Sequence, residues 1–187
     1  MSRQFWQELL AWATASGTSI NTSTTETIIF PDVTIPANYL ADGRTVRLTV
    51  YGLHSTLGSG TVTTAFQVRW GGVAGTVICK TGTITQVISL TNALWKMVVD
   101  ITVRSNGSSG TVMGNGEVHM FGGTAPTIGS ATGAPAIAPM TNGGQTGPAV
   151  ATLNLTVDTA ISVTAQMGAS SASNIIQGLQ YTIEALN

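Results

Sequence analysis

The sequence predicts an all-β protein, an antiparallel two-sheet sandwich of jelly-roll type. Residues 95–104 alternate strictly, with Trp95, Met97 and Val99 on one side and Lys96 and Asp100 on the other. A period of two is expected of a half-buried strand and does not fit a helix. Glycine-rich turn signals separate several such runs, and no helix long enough for a crossover lies between them. Without crossovers the strands must pair mainly antiparallel, which favours a sandwich.

The runs follow one another through most of the chain, and eight to ten strands are expected. The predicted strands lie near residues 27–34, 46–51, 66–70, 74–79, 83–90, 94–104, 111–121, 153–157, 161–165 and 179–184. Turns are predicted between them at residues 42–43, 58–60, 71–72 and 105–107, where Gly occurs with Asp, Ser or Asn. The strands after residue 25 are therefore assigned to one domain, residues 26–187.

The N-terminal segment, residues 2–15, is predicted to be helical. Apolar residues recur there at three- and four-residue spacing, namely Phe5, Trp6, Leu9, Leu10 and Ala13. Two interpretations remain open, because so short a helix needs something to pack against. It either closes one end of its own domain or forms an arm that docks on a neighbour. The polar stretch at residues 16–25 favours the arm, so residues 1–25 are assigned as an N-terminal anchor.

The segment at residues 122–149 interrupts the strand pattern. It contains four of the six prolines, many glycines and no charged residue. A loop this long is uncommon inside a compact domain and is usually functional or disordered. Because it carries Ile128, Ile137 and Met140, it is more apolar than a solvated linker. We expect an extended segment laid across another subunit or over its own sheet.

Charge is scarce throughout the chain, which has seven Lys or Arg and eight Asp or Glu among 187 residues. A typical soluble surface is about a quarter to a third charged, so other subunits are expected to cover part of this one. The net charge of −1 and the absence of basic runs argue against nucleic-acid binding. No signal peptide or membrane-spanning run is found, so synthesis in a cytoplasm is expected. The single cysteine, Cys79, is expected to be a small buried hydrophobic residue.

No combination of residues in the sequence indicates catalysis, a metal site or a cofactor site. His54 is expected in a glycine-rich turn and His119 at an outward strand position, and neither has a metal-ligand spacing. Asp100 and Glu117 could approach each other on adjoining strands, as the carboxylates of a glycosidase do. Their simpler role is to pair with Lys96, Arg104 or Arg69 on a polar face. The chain is therefore predicted not to be an enzyme.

Several segments resemble tailed-bacteriophage virion proteins. The resemblance rests on residues 35–44 (IPANYLADGR), 46–52 (VRLTVYG), 66–72 (FQVRWGG), 95–104 and 177–181 (QGLQY), and it covers about residues 27–121 and 150–187. Proteins of that type are jelly-roll or β-sandwich subunits of the particle, including capsid cement or decoration proteins and tail or fibre modules. The helix-like N-terminus is not part of that pattern.

The resemblance implies a cement protein that binds the major capsid protein or other virion subunits. A neck or tail adaptor is an alternative with the same kind of partners. The location would be the capsid surface of a virion assembled in the bacterial cytoplasm, and a homotrimer would suit three-fold lattice points. The candidate partner-binding residues are Phe5, Trp6, Leu9, Leu10, Trp12, Ile128, Ile137 and Met140. The alternative is a tail-fibre module that recognises a cell-surface glycan, for which Tyr51 and Trp70 are candidate contacts. Both aromatics are better explained as strand-end packing.

Overall fold

A computed structural model describes residues 7–122, 136–144 and 146–186, and these residues form strands and connecting loops without a helix. The first half of the chain forms β1 (Gln7–Trp12), β2 (Ser19–Ile20), β3 (Thr27–Ile28), β4 (Val33–Ile35), β5 (Thr45–Ser55), β6 (Val62–Trp70), β7 (Thr76–Lys80) and β8 (Ile84–Gln86). The second half forms β9 (Ala93–Ser105), β10 (Gly110–Met120), β11 (Ala136–Met140), β12 (Ala151–Leu153), β13 (Thr159–Met167) and β14 (Ile175–Leu186). The predicted all-β class is confirmed.

Two antiparallel sheets pack against each other. The larger sheet has the order β1-β14-β5-β9-β10-β11, and the smaller has the order β3-β13-β6-β7. At each edge of each sheet, two short strands pair with the same long strand. In the larger sheet, β1 and β2 pair with β14, and β11 and β12 pair with β10. In the smaller sheet, β3 and β4 pair with β13, and β7 and β8 pair with β6. Each sheet thus ends on edges built from two short strands, which is one way that proteins limit unwanted strand pairing.

The strand pairs are those of a rolled-up hairpin, which is the topology of a jelly roll. Taking each two-piece edge as one strand, the first pairs with the last (β1/β2 with β14) and the second with the penultimate (β3/β4 with β13). The third then pairs with the sixth (β5 with β9), and the fourth with the fifth (β6 with β7/β8). The strands β10, β11 and β12 extend the larger sheet beyond β9. The predicted jelly-roll type is therefore seen in the strand order.

The core fills the space between the sheets with the inward half of each alternating strand. Along β9 the odd-numbered residues from Trp95 to Val103 are all buried, as their alternation predicts. The rings of Phe66 and Trp95 meet across the sheets with their centroids 4.8 Å apart. The indole N–H of Trp95 donates to the carbonyl oxygen of Leu53 at 3.1 Å, so this large buried ring leaves no polar atom unsatisfied.

The helix predicted at residues 2–15 is wrong where the structure describes the segment. Residues 7–12 form β1, an edge strand whose register runs from Gln7 opposite Leu186 to Trp12 opposite Thr182. The register shifts between Leu9 and Ala11, so Leu10 is the extra residue of a β-bulge. A bulge breaks the alternation of a strand, which is why the sequence imitates a helical spacing. The described part of residues 1–25 therefore belongs to the sandwich rather than to a separate arm.

The segment at residues 122–149 contributes a strand to the protein's own larger sheet. In β11, Ala136–Met140, the residues pair with β10 from Ala136 opposite Met120 to Met140 opposite Gly116. Thr141 then forms a bridge with Lys80 at the end of the smaller sheet. Of the two expected arrangements, this stretch matches the one in which the segment lies over its own sheet. Ile128 lies outside the described residues.

Candidate functional site

The outward side chains of the larger sheet form one broad face, which we call the outer face. Register places three rows of residues across it. The middle row is Trp12, Thr182, Thr49, Val98, Glu117 and Pro139. The row on one side is Gln180, Tyr51, Lys96, His119 and Ile137, and the row on the other is Leu9, Glu184, Arg47, Asp100 and Asn115. Predicted partner-binding residues thus occur at both ends of these rows.

Large apolar side chains mark both edges of the outer face. Trp12 is 58% exposed and Leu9 50% exposed on β1, while Ile137 is 58% exposed on β11. Four strands lie between these edge strands, and five inter-strand spacings of about 4.8 Å put the edges roughly 24 Å apart. Within one molecule they do not form a single patch. Register places both groups on the outer face of the larger sheet, one at each edge.

Charged residues occupy the middle of the outer face. Arg47 donates to Asp100 through Nε and Nη2, both at 2.8 Å, in a bidentate pair. Hydrogen bonding to Asp100, followed by the attraction of the same carboxylate, raises the pKa of Arg47. Both side chains are about two-fifths exposed, so solvent screens the pair. The expected partners of Asp100 were Lys96, Arg104 or Arg69, whereas the partner is Arg47 on the neighbouring strand.

The other residues near this centre are also paired. His119 Nε2 lies 2.7 Å from a carboxylate oxygen of Glu117, two residues away on the same face of β10. The ammonium of Lys96 lies 5.5 Å from the ring centroid of Tyr51. Asp100 is opposite Asn115 and Glu117 is opposite Val98, so the two carboxylates are not cross-strand neighbours. Each has a cationic or histidine partner of its own.

Two of the predicted partner-binding residues point inward. Met140 is fully buried in the core, and Leu10 is half-buried and packs against it. Met140 is therefore not on the surface of this molecule, and Leu10 is only partly accessible. The cause is the period-two register of β11 and the bulge in β1, which turn these side chains toward the core. Phe5 and Trp6 lie outside the described residues.

Trp70, a candidate glycan contact, is also buried. Its indole N–H donates to the carbonyl oxygen of Asn154 at 3.3 Å, which confirms the strand-end packing interpretation. Tyr51 is half-buried on the outer face beside Lys96. Of the two aromatics, Tyr51 alone is accessible to a ligand.

The remaining chemistry-bearing residues are structural. Cys79 is fully buried, as predicted, and burial raises the pKa of its thiol. His54 lies on β5 rather than in a turn, and its ring nitrogens contact Gln86 Oε1 at 2.9 Å and the carbonyl oxygen of Phe121 at 3.1 Å. Within the described ranges, no three His, Cys, Asp or Glu side chains cluster as metal ligands. The part of the chain that the structure describes also has no helix that could span a membrane.

No protein-family model matches this chain, and no curated protein matches it.

Proposed function

We propose that the chain is a structural subunit of a bacteriophage particle that binds the capsid surface as a cement protein. Its partners would be the major capsid protein and further copies of itself, arranged as a homotrimer. The observation that carries the proposal is the pair of apolar edges on the outer face. Trp12 and Leu9 lie at one edge, and Ile137 lies at the other, each at least half exposed.

Two different edges on one face suit a cyclic assembly. In a ring, each copy offers one surface to its neighbour and a different surface to the next copy, and a closing rotation limits the assembly to a fixed number. Buried aromatic side chains contribute much of the binding energy in protein interfaces. A Trp12 edge packed beside an Ile137 edge would bury both groups of apolar side chains.

The edges themselves favour contact through side chains rather than by adding a strand. The edge strand β11 contains Pro139, which lacks a backbone N–H. The opposite edge strand, β1, contains a bulge and the charged residue Glu8. Both devices discourage continuous strand pairing between copies. An interface formed by side chains would hold the ring closed without leading to fibres.

The low charge of the chain also supports the proposal. Charged groups buried between subunits lose their hydration, and removing them from water costs several kcal/mol each unless they are well paired. On the outer face Arg47 pairs with Asp100 and Glu117 pairs with His119, while Glu184, which lies opposite Leu9, interacts with the charge of Arg47. The described carboxylates beside the apolar edges therefore already have a partner on the same face.

Immunogold electron microscopy of purified virions, with an antibody against this chain, tests the location. Gold over the whole head is the expected result. Gold confined to the tail tip would replace the cement function with receptor recognition, and an absence of gold on intact particles would contradict a surface location.

Substitution at the edges tests the assembly. Trp12→Ser and Ile137→Glu are each expected to shift the protein from trimer to monomer in native mass spectrometry and to lower its occupancy on particles. Val157→Glu is a matched control because Val157 is also exposed (47%) but lies outside the three rows of the outer face. A trimer that survives both edge substitutions, or that dissociates equally in the control, would refute the edge-to-edge arrangement.

A further inference from the structure

A polar groove lies on the outer side of the smaller sheet, facing away from the core. It consists of two hollows of about 390 Å³ and 360 Å³, which share Ala65 and Thr83. The first hollow is lined by residues that include Gln67, Lys80, Gly82 and Thr146, and the second by residues that include Thr63, Gln166 and Gly168. We call this continuous feature the Lys80 groove.

The groove exists because two strands stop short of each other. Along β6, β7 ends at Lys80 and β8 begins at Ile84, which leaves Ala65 without a strand partner on that side. Its partner on the other side is Gln166 of β13. The small methyl group of Ala65 forms the floor, and the loop after Lys80 forms a wall. This loop is held in place because the backbone N–H of Phe66 donates to the Thr81 hydroxyl at 3.0 Å.

The side-chain ammonium of Lys80 has no hydrogen-bond, ion-pair or ring partner among the described residues, in contrast to the other described cations. Arg47 pairs with Asp100, Arg69 with Glu26, Arg104 with the sulfur of Met113, and Lys96 with the ring of Tyr51, while Arg44 contacts Tyr39. Lys80 is half-buried, and no Asp or Glu is among the residues that line either hollow. An uncompensated positive charge therefore faces the groove.

The side chain of Gln67 lies beside this charge. Gln67 is directly opposite Lys80 in the register of β6 and β7, so their side chains emerge next to each other on the same face. The amide of Gln67 is already engaged, because its oxygen accepts a bond from Arg69 at 3.1 Å and its NH₂ group bonds the carboxylate of Glu26. That carboxylate is held further by Arg69 and Thr164. The Lys80 ammonium is therefore the group in the groove that is suited to a carboxylate ligand.

The rest of the lining favours a carbohydrate over a peptide. Threonine hydroxyls, which both donate and accept hydrogen bonds, recur along both hollows at Thr24, Thr63, Thr83 and Thr146. The apolar lining is limited to Ala65 and the buried Met167, so an acidic peptide would find no pocket for apolar side chains. Sugar hydroxyls match a lining of this kind.

We propose that the Lys80 groove binds an acidic carbohydrate. The sugar carboxylate would contact Lys80, and the adjoining sugar would occupy the hollow beside Thr63 and Gln166. This binding is separate from the proposed cement function, because the groove lies on the smaller sheet while Trp12 and Ile137 lie on the larger one. Failure of either proposal leaves the other standing.

A glycan array provides the first test, with sialyllactose and a glucuronate-containing hyaluronan tetrasaccharide as the acidic probes. Lactose and chitotetraose are the neutral counterparts. The expected result is binding of at least one acidic probe, with little binding of its neutral counterpart. The affinity should fall as salt is raised, because the carboxylate–ammonium contact is only half-buried. Equal binding of acidic and neutral probes, or no binding at all, would overturn the proposal.

Two substitutions locate the site by isothermal titration calorimetry with the acidic probe that binds. Lys80→Gln is expected to weaken binding about tenfold or more, since a hydrogen bond to a charged group is lost. Ala65→Leu fills the floor without changing a charge and should also weaken binding at least tenfold. Lys96→Gln, which removes the same charge from the other sheet, should leave the affinity unchanged, and thermal unfolding checks that each variant is folded.

Wild-type affinity in Lys80→Gln, or equal weakening in Lys96→Gln, would refute the assignment to this groove. A peptide of eight glutamates distinguishes the source of the carboxylate. If it binds as tightly as the acidic sugar and is equally sensitive to Lys80→Gln, the groove recognises acidic protein segments and the carbohydrate proposal is wrong.

Discussion

Replacing Glu26 by Gln should destabilise the protein by removing the charge from a largely buried ion pair. Arg69 donates to Glu26 through Nε at 2.6 Å and Nη2 at 2.7 Å, and the hydroxyl of Thr164 donates to the same carboxylate. The two charged side chains are 16% and 14% exposed. In Glu26→Gln the guanidinium of Arg69 stays in place without a counter-ion, in a site that water reaches poorly.

The magnitude follows from this burial. Breaking a fully buried pair by removing one partner costs about 3–5 kcal/mol. Because this pair keeps some exposure, and Arg69 retains its bond to the carbonyl oxygen of Gly75 at 2.8 Å, we expect a loss of about 2–3 kcal/mol. For a chain of this size that corresponds to a fall in Tm of about 5–10 °C. The exposed pair of Arg47 and Asp100 is the control, and Asp100→Asn should cost less than about 1 kcal/mol.

Urea denaturation followed by tryptophan fluorescence would measure both variants, together with Arg69→Met and the double variant Glu26→Gln/Arg69→Met. The double variant should lose less stability than the sum of the two single losses, because it leaves no charge unpaired. Equal losses in Glu26→Gln and Asp100→Asn, or additive losses in the double variant, would refute the argument from burial.

The same ion pair predicts a dependence of stability on pH. Burial alone would raise the pKa of Glu26, but hydrogen bonds from Arg69 and Thr164 outweigh burial and hold the pKa below its ordinary value of 4.5. The folded state therefore binds a proton less readily than the unfolded state at this position. The ionised Glu26 carboxylate therefore contributes its full stabilisation above pH 4.5, and this stabilisation is lost as the pH falls through the lower pKa of the folded state. Glu26→Gln should lose less stability on acidification than the wild type.

Three further predictions concern β1 and the core. Burial, followed by the hydrogen bond to Glu8, raises the pKa of Tyr39 to about 12. The contribution of Tyr39 to stability should be complete below about pH 10 and lost as the pH approaches 12, and absorbance at 295 nm should show a tyrosine that ionises near pH 12 and is missing in Tyr39→Phe. Gly52→Ala should destabilise the protein by about 3 kcal/mol, because the added methyl group would meet the backbone of Gln177 and the indole of Trp95. Deleting residues 1–13 should lower Tm, since it exposes the edge of β14 and removes the contacts of Leu10 with the core.

Each of these predictions has an outcome that contradicts it. Tyr39 is misassigned if Tyr39→Phe leaves the late part of the alkaline titration in place. A Gly52→Ala variant that unfolds at the same urea concentration as the wild type would show that the neighbouring residues accommodate the methyl group without loss of stability. An unchanged Tm after deletion of residues 1–13 would mean that β1 adds no stability, and its role would then be confined to contacts with a partner.

The sequence by itself determined the all-β class, because the alternation of residues 95–104 places large apolar groups on one side of a strand whatever it pairs with. It also determined that Cys79 and Trp70 are buried. It did not determine the conformation of residues 7–12, since the bulge at Leu10 disrupts the period of two and imitates a helix. Residues 7–12 form a strand because the edge of β14 supplies backbone hydrogen-bond partners for them. A helix this short would be marginal in water without something to pack against.

Other features required the tertiary structure, because they depend on which strands become neighbours. The pairing of β5 with β9 selected Arg47 as the partner of Asp100, although Lys96 and Arg104 are closer in sequence. The register of β11 placed Ile137 outward and Met140 inward, a distinction that an irregular proline-rich segment does not encode locally. Local periodicity reports only which way a side chain faces within its own strand. The strand order of the jelly roll decides which side chains share a face, and it is this order that places Trp12 and Ile137 at opposite edges of one surface.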